Sequence, residues 1–374
     1  MKRLLLLMPL VFLHATLLIG NHLVGGYLHY THVSDTTINI NLIVYRDCGS
    51  ATLFDGSTGT TAKAILGVFD SHNNLIDTIN LGEPAILPLY MPVDSSCQGL
   101  ALPCVEKGIY SVYYNLPSDT ETYTLVYQRC CFSPNFTNIL YPDNRGQSFI
   151  AFVLPLSVFP NSNPLVTGMP VLFTEVNKPF NYKNWCTDPD ADSLRFAFKM
   201  GLAGGSPADP IPIPPTSPPY SPMVWQSGFS ESNVLGSAPI TIDSATGEIN
   251  AMPNMVGWYL ITVMVSEYRG GILFNNNLVS FWLAVAACNN VDIKEESLQT
   301  ITLWPNPVKS HCEISLPAYN HQYHLFNGQG SIIKSGSCIE QLHLDDLNVL
   351  PAGIYFIRFQ NDKGMPKILK FIKE

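Results

Sequence analysis

The clearest pattern along the chain is an alternation of apolar and polar residues that begins at Thr37. Ile38, Ile40, Leu42 and Val44 fall on one side of the run, and asparagines occupy positions between them. Successive side chains of a β-strand point to opposite faces, so this run is predicted to be a strand with one buried face. Similar runs follow, separated by clusters of turn-forming residues: Ile65–Phe69, Ile109–Tyr114, Tyr123–Gln128 and Phe149–Leu154. Several short strands at this spacing are typical of a β-sandwich, predicted here over residues 21–158.

A second group of runs predicts an Ig-like or cadherin-like β-sandwich over residues 165–288, with the stretch 159–164 as the boundary. Its strands are expected at Leu194–Phe198, Ile240–Ile242, Tyr259–Val265 and Leu278–Val285. Residues 206–222 contain eight prolines and are predicted to form an extended loop, because proline lacks the backbone donor of a sheet. We interpret this loop as a rigid part of the domain; the alternative is a site for a partner that recognises polyproline.

Beyond a polar stretch predicted to be a linker, residues 289–302, the alternation returns. The segment 303–374 is predicted to be a small C-terminal β-sandwich with strands at Cys312–Leu316, Tyr323–Phe326, Ile332–Lys334, Leu342–Leu344, Ile354–Phe359 and Ile368–Ile372. No amphipathic helix of more than three turns is predicted. The fold class is therefore all-β, with tandem β-sandwich domains.

The N-terminal residues 1–20 have the pattern of a secretory signal peptide. Lys2 and Arg3 precede an apolar run that is short for a membrane span, and Gly20 offers a small residue at the cleavage point. The mature chain is expected to have no transmembrane segment. Charged residues make up only 13% of the chain, and the net charge is −9. Nucleic acid is not an expected partner, because an acidic surface repels phosphates.

The nine cysteines indicate an oxidising compartment and disulfides rather than zinc, because no Cys-x-x-Cys is present. Cys97 and Cys104 are close enough in sequence to close a small loop. Cys186 and Cys288 bracket the second domain, and Cys312 and Cys338 lie in the last one. These three pairs are disulfide candidates, and the pairing is left open.

Three alternating carboxylates, Asp188, Asp190 and Asp192, form the one candidate metal site. Calcium prefers oxygen ligands, and acidic residues at this spacing crowd one edge of a turn. The alternative is an Asx-rich turn without a metal. Four tryptophans are candidate glycan-stacking residues, with core packing as the alternative: Trp185, Trp225, Trp258 and Trp282. No catalytic motif is found, so the protein is expected not to be an enzyme and to have no cofactor other than calcium.

The tail resembles the type A sorting domain of the type IX secretion system of Gram-negative bacteria. The resemblance rests on an ordered set of motifs: Trp304-Pro305-Asn306-Pro307, the turn that ends at Gly330, the segment from Pro351 through Gly353 to Tyr355, and the closing Lys370-Phe371-Ile372-Lys373. It implies that this domain is recognised by the outer-membrane translocon and then usually removed, and that the remainder is attached to surface lipopolysaccharide or released.

The body resembles adhesin-like, gliding-motility-associated surface proteins. The matching segments are Tyr45-Arg46-Asp47-Cys48, Tyr127-Gln128-Arg129-Cys130-Cys131, Cys186–Leu194 and Val265–Gly271. We therefore expect a secreted protein of the outer cell surface that adheres or binds, with a surface glycan or lipopolysaccharide as a further partner. The alternative function is an extracellular hydrolase or a glycan-binding accessory protein.

Overall fold

The computed structural model describes residues 23–50, 52–89, 97–98, 104–168, 171–183, 185–236, 239–288, 301–328, 331–361 and 366–374. The predicted signal peptide and nearly all of the predicted linker lie outside these ranges. The chain divides between Asn289 and Asn290 into two compact units. We call the described residues before this division the body and those after it the tail unit. In the described part of the chain, no helix has the length and apolar character needed to span a bilayer.

The body consists of strands and one short 3-10 helix, Pro142–Asn144. In chain order the strands are β1 (Leu23–Ser34), β2 (Thr37–Asp47), β3 (Ile65–Phe69), β4 (Leu75–Asn80), β5 (Ala85–Leu89), β6 (Cys97–Gln98), β7 (Val105–Asn115), β8 (Tyr123–Arg129), β9 (Gln147–Val153), β10 (Leu165–Val166), β11 (Val171–Glu175), β12 (Phe180–Tyr182), β13 (Cys186–Thr187), β14 (Ser193–Lys199), β15 (Leu202–Ala203), β16 (Ile240–Ile242), β17 (Ile249–Ala251), β18 (Gly257–Arg269) and β19 (Ile272–Cys288). The prediction of an all-β fold class is confirmed.

Two sheets face each other across one core. The larger has nine strands in the order β14-β18-β19-β1-β2-β7-β5, with β11 and β6 also paired to β19, and the smaller has the order β15-β9-β8-β3-β4. The alternation in β2 holds, because Ile38, Ile40 and Leu42 are fully buried in this core. Phe149 and Ala151 of β9 join the same core from the smaller sheet.

The strand β1 was not predicted as a separate strand, because it has no alternation to detect. Its first eight residues are all buried, as expected for a strand covered on both faces. Gly25 and Gly26 permit this position: a Cβ on Gly26 would lie 2.3 Å from the carbonyl oxygen of Ile43 and 2.8 Å from Cε1 of Phe149. The two glycines therefore let β1 pack closely against its neighbours.

The predicted boundary at residues 159–164 differs from the structure. Gly26 of β1 pairs with Ser280 of β19, so strands from both predicted body domains belong to one sheet and one compact unit. Asn161, Ser162 and Asn163 are buried. The stretch is a buried crossing within the body, and residues 21–158 and 165–288 do not form separate units.

The proline-rich segment 206–222 contains no strand and packs on the smaller sheet. The backbone N–H of Thr216 donates a hydrogen bond of 2.8 Å to Oε1 of Gln128 in β8. The carbonyl of Pro210 accepts a hydrogen bond of 2.9 Å from the N–H of Cys130. Tyr220 packs against Phe69, Val126 and Ile150. These contacts agree with the interpretation of a rigid loop within one domain.

The disulfides differ from all three predicted pairs. Cys48 is bonded to Cys104, Cys97 to Cys288, and Cys130 to Cys131. Sheet register explains the first two bonds: Asp47 pairs with Val105, which brings the adjacent Cys48 and Cys104 together, and Cys288 pairs directly with Cys97.

The remaining three cysteines, Cys186, Cys312 and Cys338, are free thiols. Cys312 lies opposite Leu344 and Cys338 lies opposite His321 in the tail unit. The two cysteines are therefore separated along the paired strands and cannot meet. The partner predicted for Cys186 is instead bonded to Cys97.

The tail unit is built from one five-stranded sheet with its own core. Its strands are β20 (Thr302–Trp304), β21 (Cys312–Phe326), β22 (Ile332–Leu344), β23 (Gly353–Asn361) and β24 (Pro366–Lys373). A short 3-10 helix, Leu347–Val349, precedes β23. The pairs of runs predicted within 312–326 and 332–344 are each one long strand, and register shifts interrupt their pairing between Ser315 and Asn320. The core includes Val308, Ile314, Leu325, Ile357 and Phe371.

Candidate functional site

The first candidate site is the predicted sorting motif, whose two ends meet in the tail unit. Oδ1 of Asn306 accepts a hydrogen bond of 2.9 Å from the backbone N–H of Ile372. The N–H of Val308 donates to the carbonyl of Ile372 at 2.7 Å, and the N–H of Glu374 donates to the carbonyl of Val308 at 3.0 Å. The segment after Trp304 therefore runs along the last strand, and residues 66 positions apart form one local structure.

The other predicted motif residues divide between core and surface. Tyr355 is buried, stacks on Phe371 and donates a hydrogen bond of 2.8 Å to the carbonyl of Pro351. Gly353 is the first residue of β23 and pairs with Lys373, whose side chain is buried. Gly353 thus starts a strand. Trp304 is 73% exposed, and Gly330 lies outside the described residues.

The outer face of β23 and β24 is both apolar and basic. Ile354 pairs with Ile372, Phe356 with Lys370, and Arg358 with Ile368. Directly opposite residues of an antiparallel pair share a face, and the intervening residues Tyr355, Ile357 and Phe371 point into the core. Ile354, Ile368 and Ile372 are exposed. We call these six paired residues the tail face.

The second candidate site is the aspartate cluster at the start of β14. One carboxylate oxygen from each of Asp188, Asp190 and Asp192 lies within 4.8 Å of the others, so the structure brings the three predicted residues together. Oδ1 of Asp188 accepts the backbone N–H groups of Asp190 and Asp192, each at 2.9 Å. This arrangement is the Asx turn that the sequence offered as the alternative. Burial raises the pKa of Asp188.

Residues from β18 and from the buried crossing complete this cluster, and sequence reasoning did not place them there. Arg269 donates two hydrogen bonds to Asp192, of 2.8 and 2.6 Å. Asn161 links two residues of β18: its Nδ2 donates to Oε1 of Glu267 at 3.0 Å, and its Oδ1 accepts from Arg269 at 3.2 Å. One feature of the sequence could have indicated that Glu267 and Arg269 act together. They are two residues apart on a strand, and such residues share a face.

The third candidate site is a groove of about 290 Å³ that is lined by residues from both the smaller and the larger sheet of the body. An ion pair of 2.8 Å between Lys199 and Glu231 is part of its wall. The remaining lining is mostly apolar and consists of Ile150, Phe152, Met200, Leu202, Pro222, Met264, Asn276 and Leu278. Concave, largely apolar sites with a few polar groups are typical of ligand binding.

Three of the four candidate glycan-stacking tryptophans are excluded from such a role by burial. Trp185, Trp258 and Trp282 are at most 2% exposed and belong to the main core. Trp258 and Trp282 pack against each other with ring centroids 4.8 Å apart. Trp225 is partly buried and lines a depression beside the groove, together with Met223.

Comparison with known proteins adds an assignment for the tail. Residues 302–374 match the family described as Secretion system C-terminal sorting domain, which confirms the resemblance of that segment. A search of curated protein sequences found no match.

Solved structures of low similarity also align with most of the chain. They include a structure described as the structural basis for Dscam isoform specificity (11% identity, 94% of this chain, 72% of that chain, TM-score 0.16). A three-Ig segment of titin aligns at 11% identity (94% of this chain, 98% of that chain, TM-score 0.17). Dimeric latent PorU from Porphyromonas gingivalis aligns at 12% (95% of this chain, 34% of that chain, TM-score 0.17).

Proposed function

Residues 302–374 are a secretion-system C-terminal sorting domain, and from this premise we propose that the protein is a type IX secretion substrate whose body binds a ligand at the outer cell surface. The sorting domain means that the protein is exported to the surface or released. The body then serves adhesion, and it is not an enzyme. The match of the tail carries this proposal. The separate core of the tail unit supports it, because such a unit is suited to recognition apart from its cargo.

We assign recognition by the translocon to the tail face. Its apolar residues are exposed although they belong to a unit with a complete core of its own. Exposed apolar surface on a β-sheet commonly marks an interaction site. Arg358 and Lys370 add positive charge between the isoleucines, which favours an apolar partner surface with acidic groups.

We assign ligand binding by the body to the groove lined by Phe152, Met200 and Met264. Its methionine and phenylalanine side chains provide apolar contact area, and the Lys199–Glu231 pair provides polar groups. A carbohydrate of a surface glycan or of lipopolysaccharide has the matching chemistry, with apolar C–H faces and a hydroxyl rim. Attachment of cells through such a ligand would connect the protein to gliding motility.

Export is tested by deleting residues 302–374 in the native bacterium and locating the truncated protein by cell fractionation. We expect it to accumulate in the periplasm, whereas the full chain reaches the surface. A second variant, Ile368→Ser with Lys370→Glu, changes the tail face and leaves the core intact, so it should also reduce surface display. Normal display of the truncated chain would show that the tail has no sorting role.

Binding is tested with the full secreted chain on a polysaccharide array, alongside a hydrolase screen on the same glycans. We expect retention without turnover, and at least ~10-fold weaker retention by Phe152→Ser. The control is Tyr113→Ser, which removes an aromatic residue that is 69% exposed on β7 and outside the groove. Turnover without retention would favour the alternative function, an extracellular hydrolase. Retention that Phe152→Ser leaves unchanged would contradict the groove assignment.

A further inference from the structure

The strand β22 of the tail unit is paired on one side and open on the other. Its residues pair with β21 from Ile332 to Leu344, and within the described part of the chain no strand pairs with its other side. Positions 332–341 are exposed, except for the partly buried Cys338. An edge strand presents backbone N–H and C=O groups that can pair with another chain.

Two other edge strands are protected in ways that β22 is not. The strand β5 of the body has five residues and contains Pro88, which lacks a backbone donor. The strand β24 is covered in part, because the N–H of Val308 donates to the carbonyl of Ile372 and Val308 forms a bridge with Lys373. The strand β22 has 13 residues without a proline and no covering segment among the described residues.

The charged residues of β22 are arranged symmetrically about Ser337. Lys334 lies three positions before it and Glu340 three positions after it. When two copies of β22 pair antiparallel with their Ser337 residues opposite each other, each Lys334 lies opposite Glu340 of the other copy. Opposite charges that face each other across an antiparallel pair are stabilising, and like charges are destabilising. This register therefore forms two favourable charge pairs.

The segment between these charges is suited to pairing with a second strand. Its pairing with β21 is regular from Lys334 to Ile339, and a segment of this size has the length of an ordinary strand. Ile339 is 64% exposed. In the register centred on Ser337 it lies opposite Ser335 of the second copy, so pairing removes part of its apolar surface from water.

We propose that two copies of the chain form a symmetric dimer in which their β22 strands pair antiparallel about Ser337. One patch then meets the same patch of the other copy, as in a two-fold interface. A second copy is the expected occupant because it carries Lys334 and Glu340 at the complementary positions. A charged edge residue opposes pairing with other strands. The contact is small, so a reversible dimer is expected. It forms independently of any ligand that the body binds.

The first test is sedimentation velocity of the full mature chain over a range of concentrations, where we expect an equilibrium between monomer and dimer. Glu340→Lys places lysines opposite each other at both ends of the contact, and it should weaken dimerisation at least ~10-fold. Lys334→Glu should have the same effect. The double variant with both changes restores the charge pairs and should dimerise as the unchanged chain does. Both positions are exposed, so folding should be preserved.

A monomer at every concentration would overturn the proposal. A dimer that Glu340→Lys leaves unchanged would overturn it too, because the copies would then meet through another surface. Failure of the double variant to regain dimerisation would contradict the register centred on Ser337.

The second test examines the register directly. In the full chain with Cys338→Ser, the variant Ser337→Cys should form a covalent dimer on mild oxidation. Opposite residues of an antiparallel pair have Cα atoms about 4.5 to 5.5 Å apart, within the reach of a disulfide. Ser335→Cys in the same background is the matched control. Ser335 is also exposed and shares the face of Ser337, but it lies opposite Ile339. Equal linkage of the two variants would overturn the proposed pairing.

Discussion

Asn306 and Ile372 are joined by a hydrogen bond of 2.9 Å from the backbone N–H of Ile372 to the side-chain oxygen of Asn306. This bond ties the Pro-Asn-Pro segment to the last strand of the chain. The two most recognisable pieces of the sorting motif are thus parts of one structure. The asparagine has a structural role there, because its side chain satisfies a backbone donor of the strand.

Asn306→Ala should lower the stability of the tail unit by about 1 kcal/mol, the usual net contribution of one hydrogen bond. The check is hydrogen exchange followed by mass spectrometry: the peptide that contains Ile372 should exchange faster in the variant. Asn320→Ala, which changes an exposed asparagine of β21, is the control. Unchanged exchange at Ile372 would show that the Asn306 bond does not hold the strand.

Gly26→Ala should destabilise the body by about 3 kcal/mol or more, because a Cβ there overlaps backbone and side-chain atoms of two neighbouring strands. Gly82→Ala is the control, since Gly82 also has a positive φ, +76°, but has nothing within 4 Å of the added carbon. Gly82→Ala should lower the free energy of unfolding by about 1 to 2 kcal/mol. Urea unfolding measures both, and equal costs would contradict the close approach of β1.

Peptide mapping without reduction should recover Cys97 linked to Cys288 and Cys48 linked to Cys104. Under denaturing conditions an alkylating reagent should label Cys186, Cys312 and Cys338. Replacing Cys48 and Cys104 by serine should lower the free energy of unfolding of the body by about 4 kcal/mol, because their bond links residues 56 positions apart. A recovered Cys312–Cys338 peptide would contradict the register of the tail unit.

His29 should make the body less stable as the pH falls. Burial, and to a smaller degree the charge of Lys107, lowers its pKa from 6.5 to about 4. Below pH 6.5 the unfolded chain therefore binds a proton that the folded chain binds only near pH 4. The free energy of unfolding should fall by about 3 kcal/mol across this interval. Unfolding measured at several pH values should show a smaller loss for His29→Gln. His72→Gln, at an exposed histidine, should keep the full loss.

Local patterns predicted most of the strands, because alternation reports which face of a strand is buried. The run from Thr37 became β2, and the run Ile65–Phe69 became β3 with the same bounds. The same rule fails for β1, since a strand buried on both faces shows no alternation. Long strands with register shifts, such as β21, were predicted as two short ones because their pairing partners change along their length.

Local patterns do not show which distant segments of the chain pair with each other. The disulfides follow strand register between residues up to 191 positions apart, and neighbours such as Cys97 and Cys104 suggested a different bond. The stretch 159–164 was predicted to be a domain boundary because prolines flank it, yet its asparagines are buried hydrogen-bonding residues. The three aspartates were predicted as a group, whereas Arg269 contacts Asp192 only because β14 pairs with β18.

The bond between Cys97 and Cys288 has a mechanical consequence. Cys288 is the last residue of β19, the strand that pairs with β18, β1, β11 and β6. A force applied to the chain after Cys288 therefore acts on the disulfide before it acts on the hydrogen bonds of the sheet. The load then divides between β19 and the segment around Cys97, so tension from a surface attachment is shared by two parts of the chain and does not peel one strand from its end.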